Sequence, residues 1–199
     1  TPPEGDELYS NLLLVHDVIA TSSIYGPGER WVLWVHGCTL GCKGCWNVNT
    51  WSSKTGSIRS IDSLIEDIEA NRDSIEGITL LGGEPLQQPE GTLSLIKRAK
   101  SMNLTVMLYT GYDEEEYTSL MQECHNLSDL VIGGRYIESL RDPGLRWRGS
   151  TNQKIISPTG KYNPDEFEEW EEIEVIIDHE TGQVTVTGYP DADFESLID

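Results

Sequence analysis

The chain predicts an α/β fold in which parallel strands are joined by helical crossovers. Three observations carry that expectation. Short apolar runs alternate with helical periodicities between residues 12 and 132. Loops rich in Gly, Cys and polar residues follow those runs at their carboxyl ends, where α/β folds gather their functional groups. At 199 residues and 37% hydrophobic content, the chain suits one domain with a real core.

The elements follow in order. Residues 1–10 read as an acidic leader, 11–160 as the main domain, and 161–199 as an acidic C-terminal extension. The run 12–19 is long enough for a strand. Residues 31–35 form a second strand that delivers a cysteine loop. Ile61, Leu64, Ile65 and Ile68 recur at i, i+3, i+4 and i+7, so this segment is a helix, with Ser60 as its N-cap. Residues 77–81 form a short buried strand that ends in Gly82-Gly83. Leu93, Ile96 and Met102 mark a helix at 90–102, and 104–109 is a strand. A helix at 114–125 places Tyr117, Leu120, Met121 and Cys124 on one stripe, and 130–132 is a strand. Residues 174–177 and 183–187 alternate around Asp178-His179-Glu180-Thr181-Gly182, the pattern of a hairpin, which is expected to add an antiparallel edge to the sheet. The acidic stretch 165–174 contains Phe167 and Trp170 and reads as a docked helix.

Charge narrows the function classes. The net charge of −20 argues against nucleic-acid binding. It is unevenly spread. Residues 162–199 hold 13 acidic side chains and no Lys or Arg, whereas 130–161 carry six basic residues against Glu138 and Asp142. No run approaches the ~20 apolar residues that cross a bilayer. The start, Thr1-Pro2-Pro3-Glu4, lacks the basic-then-apolar pattern of a signal peptide. A cytoplasmic protein is the expectation, since reactive thiols need a reducing compartment.

Cys38, Cys42 and Cys45 stand in the run His36-Gly37-Cys38-Thr39-Leu40-Gly41-Cys42-Lys43-Gly44-Cys45-Trp46-Asn47. The C-x3-C-x2-C spacing supplies three thiolates from one loop. Three soft ligands on a cube of four irons leave one iron open to a small molecule, whereas a structural cluster normally takes four cysteines. A disulfide would leave one thiol over. Zinc would need a fourth ligand from His36 or Cys124, and zinc motifs usually pair their cysteines in two knuckles. Two classes stand at this point: a catalytic iron–sulfur enzyme and a zinc-stabilised module without catalysis.

The spacing resembles the signature of the radical S-adenosylmethionine (SAM) enzymes. Gly26-Pro27-Gly28, Trp46-Asn47, Gly82-Gly83-Glu84-Pro85, Tyr109-Thr110-Gly111-Tyr112 and the stretch 142–153 extend the likeness to the activating proteins of anaerobic (class III) ribonucleotide reductase. The resemblance implies an incomplete TIM-like (β/α) barrel. It implies a [4Fe-4S] cluster on Cys38, Cys42 and Cys45, with SAM on the fourth iron. Contacts to SAM are expected from Gly44, Cys45, Trp46, Gly82, Gly83, Glu84, Thr110 and Arg135, with no catalytic side chain beyond the cluster. The implied reaction is reductive cleavage of SAM and formation of a glycyl radical on a partner enzyme. Anaerobic ribonucleotide reductase is the expected partner and a flavodoxin-like protein the electron donor. The same chemistry on another glycyl radical enzyme, a peptide or a small molecule is the nearer alternative.

Individual residues keep two readings. Trp46 suits the adenine or the cluster, and equally a core. Thr110 suits the ribose or carboxylate of SAM, and equally a capped turn at Gly111. Asn47 suits a side-chain hydrogen bond within its loop. Arg141, Arg146, Trp147 and Arg148 suit a grip on a partner, and equally ion pairs to the acidic tail. Gly133 stands where the resembled family commonly has aspartate. His16, His36, His125 and His179 show no ligand spacing.

Overall fold

The computed structural model describes residues 10–167, 173–177, 181 and 184–188. The expected leader and most of the acidic tail, Trp170 and His179 included, lie outside the described residues. The main sheet has seven strands. They are β1 (Leu12–Ser22), β2 (Arg30–Val35), β3 (Ser57–Ser60), β4 (Gly77–Gly82), β5 (Thr105–Thr110), β6 (Leu130–Gly133) and β7 (Lys154–Ile156), arranged in the order β3-β1-β2-β4-β5-β6-β7. The central strands β2, β4, β5 and β6 are parallel, as the alternating pattern predicts. The flanks differ: β1 runs antiparallel to β2 and β3, and β7 antiparallel to β6. The short strands β3 and β7 were not expected, because three or four residues show no readable periodicity.

Helices α1 (Ile61–Ala70), α2 (Pro89–Ser101) and α3 (Ser119–Leu127) bridge the parallel strands. Helix α1 forms where expected and buries Ile61, Leu64, Ile65 and Ile68. Ser60 caps it by accepting from the Ser63 N–H at 3.1 Å, a bond of the kind that stabilises a helix by ~1 kcal/mol. The segment expected as one helix at 114–125 is two pieces. A 3-10 turn at Glu114–Glu116 comes first, and α3 starts afresh after Thr118, whose hydroxyl accepts from the Met121 N–H.

Every residue of β2 is buried, because the sheet is covered on both faces. Alternation then sorts its side chains. Trp31, Leu33 and Val35 join the helix-side core with Ile78, Leu80, Val106, Leu108 and Val131. Val32 and Trp34 face the other way, with Ile24, Tyr25 and Leu81. Met107, Leu130 and Ile132 continue that second face beneath Trp147 and Phe167. All three helices contribute their buried apolar residues to the first core.

At the C-terminus, β8 (Ile173–Ile177) and β9 (Val184–Gly188) pair antiparallel, so the expected hairpin is present. It forms a two-stranded sheet of its own rather than an edge of the main one. The outermost strand beyond β6 is β7 instead. The expected acidic helix at 165–174 is also corrected. Pro164–Glu166 is a single 3-10 turn, and Ile173 and Glu174 belong to β8. Phe167 nevertheless docks as anticipated, with its ring 4.7 Å from that of Trp147.

Candidate cluster and cofactor site

Parallel strands end together at one rim, and their loops meet there. The loop after β2 carries Cys38, Cys42 and Cys45. The loop after β4 carries Gly83 and Glu84, and β5 ends in Thr110-Gly111. These residues line one cavity with Tyr25, Trp34, Leu81, Tyr109 and Ile132 from the second sheet face. Residues 134–153 close the far side through Gly134, Tyr136, Trp147, Gly149 and Gln153.

The three cysteines are free and partly buried. Burial pushes the Cys38 thiol up, and the nearby charges of Glu84, Cys45 and Cys42 add to it, while a backbone bond from Leu40 opposes. Metal binding must displace that proton, since the thiolate is the ligand. Among the described residues, no three His, Cys, Asp or Glu side chains are grouped to hold one metal ion. The donor set itself, three thiols of one loop facing one cavity, suits a cluster with an open corner.

Neither candidate for a fourth zinc ligand is at hand. The buried His36 ring places Nδ1 3.0 Å from the Thr50 carbonyl and Nε2 2.7 Å from the Thr55 hydroxyl. The carbonyl can only accept, so Nδ1 carries the proton and Nε2 accepts from Thr55. Cys124 is fully buried in the helix-side core, as its stripe predicts. Its thiol donates to the Pro89 carbonyl and is pushed up to about 12 by burial.

Glycine is required where the two principal loops touch. Gly82 sits at φ +104°, and a Cβ there would lie 2.7 Å from the Val35 carbonyl. A Cβ on Gly83 would lie 2.4 Å from the Gly37 carbonyl, well inside contact distance. The backbones join there through Gly83 N–H to Val35 O at 2.8 Å and Glu84 N–H to Gly37 O at 2.9 Å.

Glu84 is almost wholly buried. Its Oε1 accepts from the Leu86 N–H at 2.9 Å and the Thr110 hydroxyl at 3.0 Å, and Oε2 accepts from the Gly111 N–H at 2.7 Å. Burial raises its pKa to about 7 against the pull of those donors. Thr110 also accepts from the Tyr112 N–H, so its hydroxyl makes the capped turn at Gly111. Arg135 forks onto Glu116 at 2.7 and 2.8 Å, donates to the Gly111 carbonyl, and lies over the Tyr112 ring. The bond to Glu116 raises its pKa against desolvation.

Trp46 is 59% exposed at the cavity mouth, which corrects the core reading. The Arg141 guanidinium lies 5.9 Å from its ring centre. Gly44 has φ +74°, a conformation that lets the loop turn beneath Glu138. Asn47 holds its loop through its main-chain carbonyl, which accepts from the Thr50 hydroxyl and N–H, and not through a side-chain cap as expected.

The basic stretch divides: Arg141, Lys154 and Lys161 are exposed, while the segment around Trp147 folds inward. Trp147 is buried and donates from Nε1 to the Ile24 carbonyl at 3.0 Å. Arg146 stacks over Trp147 and Phe167. Gln153 closes this loop: its Oε1 accepts from Gly149 and Ser150, and its Nε2 donates to Gly134. Sequence reasoning missed this role of Gln153, and also those of Gln87 and Gln88. A glutamine beside a motif carries no periodic signal.

A family model described as a 4Fe-4S single cluster domain matches residues 24–156. That match, over two thirds of the chain, makes this an iron–sulfur protein with one cluster domain. The chain is 33% identical over 147 residues to the anaerobic ribonucleoside-triphosphate reductase-activating protein of Salmonella typhi, covering 70% of this chain and 96% of that one. The protein of the same description from Vibrio cholerae is 35% identical, covering 70% and 95%. That of Enterobacteria phage T4 is 36% identical over 141 residues, covering 68% and 88%. The chain belongs to the family of anaerobic ribonucleoside-triphosphate reductase-activating proteins. Among solved structures, QueE from Escherichia coli matches at a TM-score of 0.46 and 10% identity, covering 66% of this chain and 76% of that one, a likeness too loose to bear on the fold.

Proposed function

We propose that this protein is a radical SAM activase that forms a glycyl radical on an anaerobic ribonucleotide reductase. One observation carries the reading. Cys38, Cys42 and Cys45 line the same cavity as Gly82, Gly83, Glu84, Thr110 and Gly111, all at the carboxyl ends of parallel strands. Cys38, Cys42 and Cys45 would hold a [4Fe-4S] cluster. When bound, the cluster supplies the electron that breaks the sulfonium S–C5′ bond of SAM, yielding methionine and a 5′-deoxyadenosyl radical.

The chain's own residues bind and orient. Gly82 and Gly83 let their loop pack directly on the Val35 and Gly37 backbone, where a Cβ would clash, and so bring the cofactor-side loop against the cysteine loop. Glu84 acts chiefly by tying the Gly83 loop to the end of β5, since both of its oxygens already accept protein donors. Oε2 accepts one donor only, and Glu84 lines the cavity, where an ammonium group is the matching ligand. Gly44, Cys45 and Trp46 offer backbone edge and an open ring to the adenine. Thr110 positions the Gly111 turn, and Arg135 braces the same turn by donating to the Gly111 carbonyl.

The one-faced helix layer and the cavity on the other sheet face support an incomplete (β/α) barrel. We take 11–160 as the radical SAM domain, with 1–10 as leader and 161–199 as extension. A flavodoxin-like donor and a cytoplasmic setting complete the reading. Among the described residues, no helix is long and apolar enough to cross a membrane.

The test is anaerobic reconstitution with ferrous iron and sulfide, followed by SAM and a reductant. Release of 5′-deoxyadenosine supports the radical SAM reading. A glycyl doublet in electron paramagnetic resonance, seen only when the reductase is added, supports the partner. A colourless protein that takes up zinc and cleaves nothing would overturn both.

A further inference from the structure

We infer that the side-chain amides of Gln87 and Gln88 are positioning groups that bracket Cys38 and preset it for the cluster. This rests on the assignment of Cys38 as a ligand and adds how that thiol is placed.

The two glutamines follow Gly82-Gly83-Glu84 on the 3-10 turn at Pro85–Gln87 and its cap. They reach across to the cysteine loop on either side of Cys38. Gln88 Oε1 accepts from the Leu14 N–H at 2.7 Å, and its Nε2 donates to the Leu14 carbonyl at 3.2 Å and the His36 carbonyl at 3.1 Å. Gln87 Oε1 accepts from the Thr39 N–H at 3.1 Å, and its Nε2 donates to the Thr39 hydroxyl at 2.8 Å and the Tyr112 hydroxyl at 3.0 Å. His36 lies two residues before Cys38 and Thr39 one residue after. The intervening backbone is also tied down, by Gly37 N–H to Thr50 O and Cys38 N–H to Trp51 O.

The other two cysteines have a different support. The Cys45 N–H bonds only to the Cys42 carbonyl, within the same loop. Cys38 is therefore the fixed end of the ligand set, and Cys42 and Cys45 form the end that adjusts. Partners behind a metal ligand set its approach and strengthen binding. Here the clamp also welds the cysteine loop to the glycine loop, so that cluster and cofactor contacts share one frame.

The bonding pattern separates the two positions chemically. Every partner of Gln87 can donate, because Thr39 and Tyr112 supply hydroxyls and Thr39 an N–H. A carboxylate at 87 can accept from all three. Gln88 instead donates to two carbonyls, which accept only. A carboxylate at 88 faces two oxygen atoms with nothing to give them.

The experiment compares the full-length parent with Gln87→Glu, Gln88→Glu, Gln87→Leu and Gln88→Leu. Three quantities are read: melting temperature, iron and sulfide bound after anaerobic loading, and alkylation rates of the three thiols in apo-protein treated with iodoacetamide. In the parent, Cys38 should react more slowly than Cys42 and Cys45. Both leucine variants should bring its rate level with theirs, and both should weaken iron binding by about 10-fold. Gln87→Glu should keep the iron content of the parent, and Gln88→Glu should lose it. Equal iron binding and equal Cys38 reactivity in all variants would overturn the inference. So would equal damage at both glutamate variants with lowered melting temperatures, which marks a general folding role. Should the parent itself take up no iron, the cluster assignment fails instead, and the alkylation rates still decide whether the clamp presets Cys38.

Discussion

One end of the parallel sheet buries an arginine and the other end buries a glutamate. Arg30 opens β2 and is fully buried. Its guanidinium donates to Thr79 Oγ1, the Pro27, Ile78 and Thr105 carbonyls, and Thr105 Oγ1. Tyr162 seals that end by donating to Glu76 and Thr105. Glu84, just past β4, is equally buried but lies on the cavity wall. Desolvation works against the charged form of both, lowering the Arg30 pKa and raising that of Glu84 to about 7. The difference lies in what surrounds them. The arginine end is closed by carbonyls and hydroxyls and serves stability. The glutamate end adjoins glycines, thiols and open space, the setting of the proposed cofactor site.

The comparison breaks most sharply at the thiols. Cys42→Ala at the open end should abolish SAM cleavage and cluster colour while leaving the apo-protein's melting temperature near that of the parent. Retained cleavage in that variant would remove Cys42 from the ligand set. Arg30→Met at the closed end should do the reverse. It removes the guanidinium donors to the Pro27, Ile78 and Thr105 carbonyls and should cost about 1–3 kcal/mol of stability for each acceptor left unpaired, read by denaturant unfolding. Any of that protein still folded should bind iron as the parent does.

Much of this frame was legible in sequence because it rests on patterns that repeat. Short apolar runs marked β2, β4, β5 and β6, apolar periodicity marked α1, and the spacing of Cys38, Cys42 and Cys45 marked the candidate ligand loop. What stayed hidden were single contacts between distant residues. Nothing in the sequence shows that Arg30 turns inward beneath Thr105, or that Gln88 reaches back to Leu14. Trp46 and Trp147 look alike in sequence, yet one is open at the cavity mouth and the other is buried under Phe167. The strands β3 and β7 were missed because tertiary pairing, not local preference, makes them strands.

Glu84 sharpens the comparison through pH. Its ordinary value of 4.5 applies to the unfolded chain, and about 7 to the folded one. Between those values the folded protein holds a proton that the unfolded chain has lost. Stability contributed by this group therefore falls as pH rises from about 4.5 to about 7, and is level above that. Glu84→Gln removes that slope. It also sets an amide N–H against the Gly111 N–H, or against the Leu86 N–H and Thr110 hydroxyl if the amide is turned over, at a cost of about 1–3 kcal/mol. Denaturant unfolding of apo-protein at pH 5 and pH 7.5 should show a larger gap between parent and variant at pH 5. An equal gap at both would mean that Glu84 titrates normally.

The smallest effect belongs to the fourth cysteine. Cys124 shares its residue type with the three cavity cysteines and nothing of their setting. It packs between α3 and α2, donates weakly to the Pro89 carbonyl at 3.7 Å, and keeps its proton because burial pushes the thiol up to about 12. Cys124→Ala removes one buried sulfur and leaves a small void, which should cost about 1 kcal/mol. Iron content, cluster spectrum and SAM cleavage should all match the parent. A loss of iron in this variant would mean that the helix layer, and not the rim alone, sets the cysteine loop.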